Sequence, residues 1–82
     1  MDSEASSLET LNELLSEVGD QVRRERQLFP GNRHHLSTLV MELGELAEAL
    51  MKSDQPAVVR EEAVRVACIA LRIAAEGDTS FP

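Results

Sequence analysis

Three blocks of apolar residues recur at steps of three and four, a spacing that fits the α-helix and little else. Leu8, Leu11, Leu15, Val18 and Val22 form the first stripe, and Glu9, Glu13, Glu17, Asp20 and Arg24 share the opposite face. Leu36, Leu39, Leu43, Leu46 and Leu50 form the second, widened by Val40 and Ala47. Val59, Ala63, Val66, Ala70 and Ile73 form the third, and Val58, Ala67 and Ile69 broaden it. Between the blocks stand Leu28-Phe29-Pro30-Gly31-Asn32 and Ser53-Asp54-Gln55-Pro56, whose proline and glycine end helices and make turns. The pattern predicts helices over about residues 7–27, from His34 or His35 to the break at Ser53, and over about 56–76. Ser6 and Glu9 have capping-box spacing for the first. Asp54 or Gln55 can cap the third, Pro56 suits its first turn, and Gly77 suits its C-cap. Residues 1–6 are expected to be disordered and 78–82 to form an irregular tail, which leaves 7–77 as a single domain.

The fold class that follows is all-α: three helices with short links, running up and down. Trp and Tyr are absent and Phe occurs twice, so the chain offers little material for strands. With 82 residues it has one domain at most, and its core is marginal if it stands alone. Cys68 is the single cysteine, so no disulfide forms within the chain. It sits in the apolar run Val66–Ala70 and reads as a small core residue. A metal or self-association remains as the added source of stability. The third block has apolar residues on more sides than a lone three-helix domain needs. Either a second copy covers the excess, most simply in a two-fold dimer, or the third helix is central in a monomer.

The net charge of -7 argues against nucleic acid as a partner. It is compatible with a site that collects divalent cations, but from composition alone a solvated acidic surface is the preferred reading. No apolar stretch is long enough to span a bilayer. Met1-Asp2-Ser3-Glu4 lacks a signal-peptide pattern, so a cytoplasmic location is expected. The sequence has no phosphate-binding glycine loop, no serine–histidine–acid pattern and no zinc-type spacing.

The most informative stretch is Met41-Glu42-Leu43-Gly44-Glu45-Leu46-Ala47-Glu48-Ala49-Leu50. Glu42 and Glu45 are three apart and share a helical face, and Glu48 continues the row. Stacked carboxylates repel, so solvent or a cation must offset them. Gly44 inside a helix costs about 1 kcal/mol relative to alanine and leaves room beside the row or for another helix. A second acidic pair, Glu61 and Glu62, opens the third helix, where the macrodipole favours it and where Glu61 can pair with Arg65. On two antiparallel helices the two clusters offer carboxylates to one groove. An all-oxygen set suits Mg²⁺ or Mn²⁺ rather than zinc, and Mg²⁺ held this way characteristically acts on a phosphate-bearing substrate.

Glu42-Leu43-Gly44-Glu45-Leu46-Ala47-Glu48-Ala49, followed by Arg60-Glu61-Glu62-Ala63-Val64-Arg65-Val66-Ala67, resembles the all-α MazG-like nucleoside triphosphate pyrophosphohydrolases. That family carries E-E-x-x-E on one helix and E-x-x-D on the next. Arg23-Arg24-Glu25-Arg26-Gln27 is similar to the segment ahead of its second helix, and the likeness spans roughly residues 18–76. The resemblance implies a helical bundle completed by homo-oligomerisation, as a homodimer or homotetramer. It implies Mg²⁺ held by carboxylates, and cleavage of nucleoside triphosphates to the monophosphate and pyrophosphate. Residue by residue, Glu42 and Glu45 match the second and third acids of the first motif and Glu62 the first acid of the second. Glu42 and Glu45 are the implied catalytic pair, and Glu48 or Glu61 would assist in holding metal. Met41 stands where the family has its first Glu, and Arg65 where it has its Asp. Arg65 is read chiefly as the ion-pair partner of Glu61 or Glu62, with a substrate phosphate as the alternative. The implied activity is weakened by these two departures. The alternatives are a non-catalytic dimerisation or protein-interaction module on the same scaffold, and nucleotide binding without hydrolysis.

His34 and His35 cannot share one helical face, and an exposed, capped pair is expected. Arg33 is a candidate phosphate contact beside them. Phe29 is expected to pack the turn after the first helix, with stacking on a base as the alternative. Arg23, Arg24 and Arg26 complement the dipole of the first helix.

Overall fold

The computed structural model describes residues 3–82, with side chains from residue 9 onward. Its elements are three helices, α1 (Ser3–Leu28), α2 (His35–Met51) and α3 (Pro56–Glu76), with no strand among the described residues. Helical backbone therefore begins at Ser3, ahead of the expected start at residue 7 and within the stretch expected to be disordered. Met1, Asp2 and the Ser6 side chain, and with it the capping box, lie outside the described residues. Pro56 opens α3 behind Gln55, whose side chain makes no capping bond, and Gly77 ends it at φ 73°, donating its N–H to Ile73 O at 2.8 Å.

The three helices run up, down and up, with α3 in the middle. Glu17 meets Arg60, Glu25 meets Cys68 and Phe29 meets Arg72, so contacts between α1 and α3 advance together and the two are parallel. His35 lies against Glu76, while Glu42 and Glu45 lie against Glu62, so α2 is antiparallel to α3. Among the described residues no Cα of α1 comes within 8 Å of a Cα of α2. The arrangement is an open layer of 50 × 27 × 21 Å rather than a closed bundle.

This openness decides what is buried. The hydrophobic core is Val18, Ala49, Val64, Cys68 and Ile69, set along the two seams of α3. The apolar stripes expected to face inward are only partly covered. Leu11 and Leu15 of α1 are exposed, as are Leu36, Leu43 and Leu50 of α2 and Ala63 and Ala70 of α3. The helical period is real on each helix, but part of each stripe finds no cover within the chain.

Polar contacts close the lower end of the layer. Arg72 is only 4% exposed. It donates to Glu76 Oε2 and Oε1 at 3.0 and 3.1 Å and to the carbonyls of Phe29 and Gly31, both at 3.0 Å. It thereby ties α3 to the link between α1 and α2. The bond to Arg72 holds the Glu76 carboxyl below its usual range, and the Glu76 contact raises Arg72 in turn. The irregular tail folds back onto the same link: Thr79 N–H donates to Asn32 O at 3.0 Å and His34 N–H to Ser80 Oγ at 2.8 Å. Among the described residues no helix is long and apolar enough to cross a membrane.

Candidate functional site

The acidic residues of α2 and α3 converge where the two helices cross levels. Glu42, Glu45 and Glu62 each place one carboxylate oxygen within 4.8 Å of the others. Glu42 and Glu62 are half-buried and Glu45 is exposed, so the cluster has a closed floor and an open side. Glu42 Oε2 and Glu62 Oε2 are buried and have no hydrogen-bond partner. A buried carboxylate oxygen without a partner is costly. Burial pushes the Glu42 carboxyl above its usual value, helped by the charge of and hydrogen bond to Glu45 and by the charge of Glu62, and opposed by Arg65.

Arg65 occupies the rear of the cluster. Its Nη1 donates to Glu62 Oε1 at 3.1 Å and its Nη2 to Glu61 Oε1 at 3.1 Å. The ion-pair reading of Arg65 is the one the structure displays. Glu62 is divided by it: Oε1 is bound to the guanidinium, and Oε2 is buried without a partner. Glu61 is exposed and spent on Arg65, outside the cluster. Glu48 is likewise outside, its Oε1 taken by Lys52 Nζ at 2.6 Å, and this exposed pair lowers the Glu48 carboxyl. Met41 is exposed and contributes no oxygen.

A cavity of about 360 Å³ opens beside the cluster, sharing Glu42 and Arg65 with it and walled by Phe29, Arg33, His35 and Arg72. Arg33 is exposed at its mouth and forms no ion pair among the described residues. Phe29 is 66% exposed, which corrects the expectation that it packs the turn. His35 corrects a second expectation: it is buried, with Nε2 3.7 Å from Glu76 Oε1, while His34 is exposed. On the opposite side of the cluster a cavity of about 310 Å³ is lined by Glu45, Glu48, Asp54 and Glu62. A shallow concavity of about 560 Å³ runs along α1 from Asn12 to Arg24; a single helix bounds it and no facing wall encloses it.

Arg72 and Asp78 organise the site without appearing in the sequence expectations. The signal for Arg72 was an arginine inside Ile69-Ala70-Leu71-Arg72-Ile73, with Glu76 four residues on. The signal for Asp78 was a negative one, since α2 lacks a local Ser, Thr, Asp or Asn cap.

No family model, curated protein or solved structure matches the chain.

Proposed function

We propose that the chain is a MazG-like, Mg²⁺-dependent nucleoside triphosphate pyrophosphohydrolase of weakened activity, working in the cytoplasm as an assembly of identical chains. The observation that carries this reading is the pair of buried, unpartnered oxygens on Glu42 and Glu62 beside Glu45. Such orphaned donors fit a hard divalent cation, whose coordination would replace the missing hydrogen bonds. Glu42, Glu45 and Glu62 would hold Mg²⁺, with Mn²⁺ as the substitute, and the ion when bound neutralises phosphate charge and activates water.

The remaining roles fall to the chain's own groups. Arg65 keeps Glu62 turned with one oxygen free, the orienting part an outer partner plays at a metal site. Glu45, the exposed carboxylate, can pass a proton on to solvent as water adds to phosphorus and the α–β bridging oxygen leaves. Arg33 stands where a phosphate entering the 360 Å³ cavity meets an unpaired guanidinium, a good phosphate donor. Phe29 offers an apolar ring at the same mouth. Three carboxylates without the family's first Glu and its Asp make a thin ligand set, which is the reason for expecting slow turnover.

The test is product analysis. Nucleoside triphosphates incubated with the chain and Mg²⁺ should yield the monophosphate and pyrophosphate, and chelator should stop this. Release of orthophosphate, or no cleavage by folded protein, would point to nucleotide binding without this hydrolysis or to an interaction module.

A further inference from the structure

Both phenylalanines of the chain are exposed, Phe29 by 66% and Phe81 by 54%, and Leu28 beside them by 63%. All three stand at the lower end of the layer, where two segments are held side by side. Arg72 binds the carbonyls of Phe29 and Gly31, Thr79 N–H donates to Asn32 O, and His34 N–H donates to Ser80 Oγ. The two rings therefore belong to one tip, and neither is folded into the chain, although large apolar side chains are ordinarily the first to be buried.

The same tip is cationic in an acidic chain. Residues 21–35 carry Arg23, Arg24, Arg26 and Arg33 against Glu25 alone, which is half of the eight basic residues of a chain whose net charge is -7. Arg24 and Arg33 are exposed and form no ion pair among the described residues. The carboxylates near the tip are engaged within the chain. Glu76 is held by Arg72, Asp78 by the Leu36 and Ser80 amides, and Glu25 lies against Cys68 in the α1–α3 seam. Asp20 is neutralised by Arg23 at 2.6 Å. At a helical rise of about 1.5 Å per residue, Glu17 stands about 16 Å from Leu28 and Glu42 about 10 Å from His35. Both distances exceed the screening length of about 8 Å at physiological salt, so a charged surface at the tip meets the arginines and little of the acidic body.

The shape of the tip selects among anionic partners. A second copy would set arginines against arginines. A flexible polyanion long enough to engage the arginines would run on past the acids of α1 and α2. A plane laid against the end of a layer 50 Å long meets the tip alone. Exposed Phe and Leu beside Arg are the pairing that enters the headgroup boundary of a bilayer, rings among the acyl carbons and guanidiniums among the phosphates. We infer that Leu28, Phe29 and Phe81, with Arg24, Arg26 and Arg33, dock the protein reversibly on an anionic lipid surface. Phe29 and Arg33 also stand at the mouth of the 360 Å³ cavity, so lipid and a ligand of the cavity compete for them.

The chain has no tryptophan, so Phe81→Trp reports from the tip alone. Its emission should move to shorter wavelength with vesicles of equimolar phosphatidylcholine and phosphatidylglycerol, and stay unchanged with phosphatidylcholine alone. The wild-type chain should co-sediment with the mixed vesicles, a readout that needs no substitution, and added salt should release it. Arg24→Gln and Arg33→Gln should each weaken the binding about fivefold, the usual share of one basic residue near an anionic surface. None of these readouts involves metal or nucleotide. Folded chain that ignores the mixed vesicles, or binds both kinds equally, would overturn the assignment. So would binding that leaves the tryptophan emission unchanged or survives Arg24→Gln and Arg33→Gln together, because the contact would then lie elsewhere. Capture by a single-stranded oligonucleotide with no uptake by vesicles would make the tip a nucleic-acid contact and overturn it as well.

Discussion

Asp78, beyond the end of α3, caps the start of α2: its Oδ2 accepts the Leu36 N–H at 2.8 Å. His34, at the usual capping position, lies in the left-handed region at φ 63° and offers no side-chain cap. One free amide of the helix start is thus satisfied from the far end of the sequence. Ser80 N–H also donates to Asp78 Oδ1 at 2.9 Å, and the amide bonds hold the Asp78 carboxyl down at about 2. Asp78→Ala is predicted to lower the melting temperature by several degrees at neutral pH. The folded value is depressed, so the stabilisation is complete above the ordinary 3.8 and is lost as pH falls toward about 2. Melting curves of wild type and Asp78→Ala should converge across that window.

Arg72 is the second contact that reaches across the chain. Arg72→Met removes a buried guanidinium from Glu76 and from two loop carbonyls. Breaking a buried pair on one side costs about 3 kcal/mol or more, so the urea midpoint should fall sharply. Arg72→Lys should recover only part of the loss, because an ammonium cannot serve Glu76 and both carbonyls at once. Equal stability of Arg72→Met and wild type would remove this contact from the account.

Cys68 is fully buried, and burial pushes its thiol up to about 11, with the Glu25 charge adding to the shift. Thiolate is therefore scarce at neutral pH and out of reach. Alkylation is predicted to be negligible in the native protein and to track unfolding in urea. Fast labelling of folded protein would show that the α1–α3 seam opens.

Glu42 carries a pH dependence of the opposite sense to that of Asp78. Its folded value is raised, so the metal-free fold binds an extra proton and gains stability as pH falls through that raised value toward the ordinary 4.5. Protons and metal compete for the same oxygens, so Mn²⁺ affinity should weaken over the same range. Glu42→Gln is predicted to melt at or above wild type in chelator and to lose the metal-induced rise in melting temperature. A metal-induced rise unchanged in Glu42→Gln would place the cation elsewhere.

The helices were legible in the sequence because their signals are local. Pro56 and Gly77 bracket α3 at the expected ends, and the Pro30-Gly31 break separates α1 from α2. The convergence of Glu42, Glu45 and Glu62 was also legible, since i,i+3 spacing on one helix and a short link to the next bring those carboxylates together. Glu48 and Glu61 read as ligands by type, but Lys52, just past the end of α2, and Arg65, one turn on along α3, engage them instead. Burial was not legible. A stripe such as Leu36–Leu50 records that a face wants cover, and it carries no record of whether the cover is the same chain. The burial of His35 and the Asp78 cap depend on where the tail lands, which no local pattern encodes.

The most direct test of the central claim is calorimetric titration of Mn²⁺ and Mg²⁺ into the protein, with and without a non-hydrolysable nucleoside triphosphate, for wild type and Glu62→Gln. The account predicts cation binding to wild type, tightened by the triphosphate, and its loss in Glu62→Gln with helicity retained. Folded wild-type protein that takes up neither cation, alone or with the triphosphate, would contradict it and leave Glu42, Glu45 and Glu62 as a solvated acidic face.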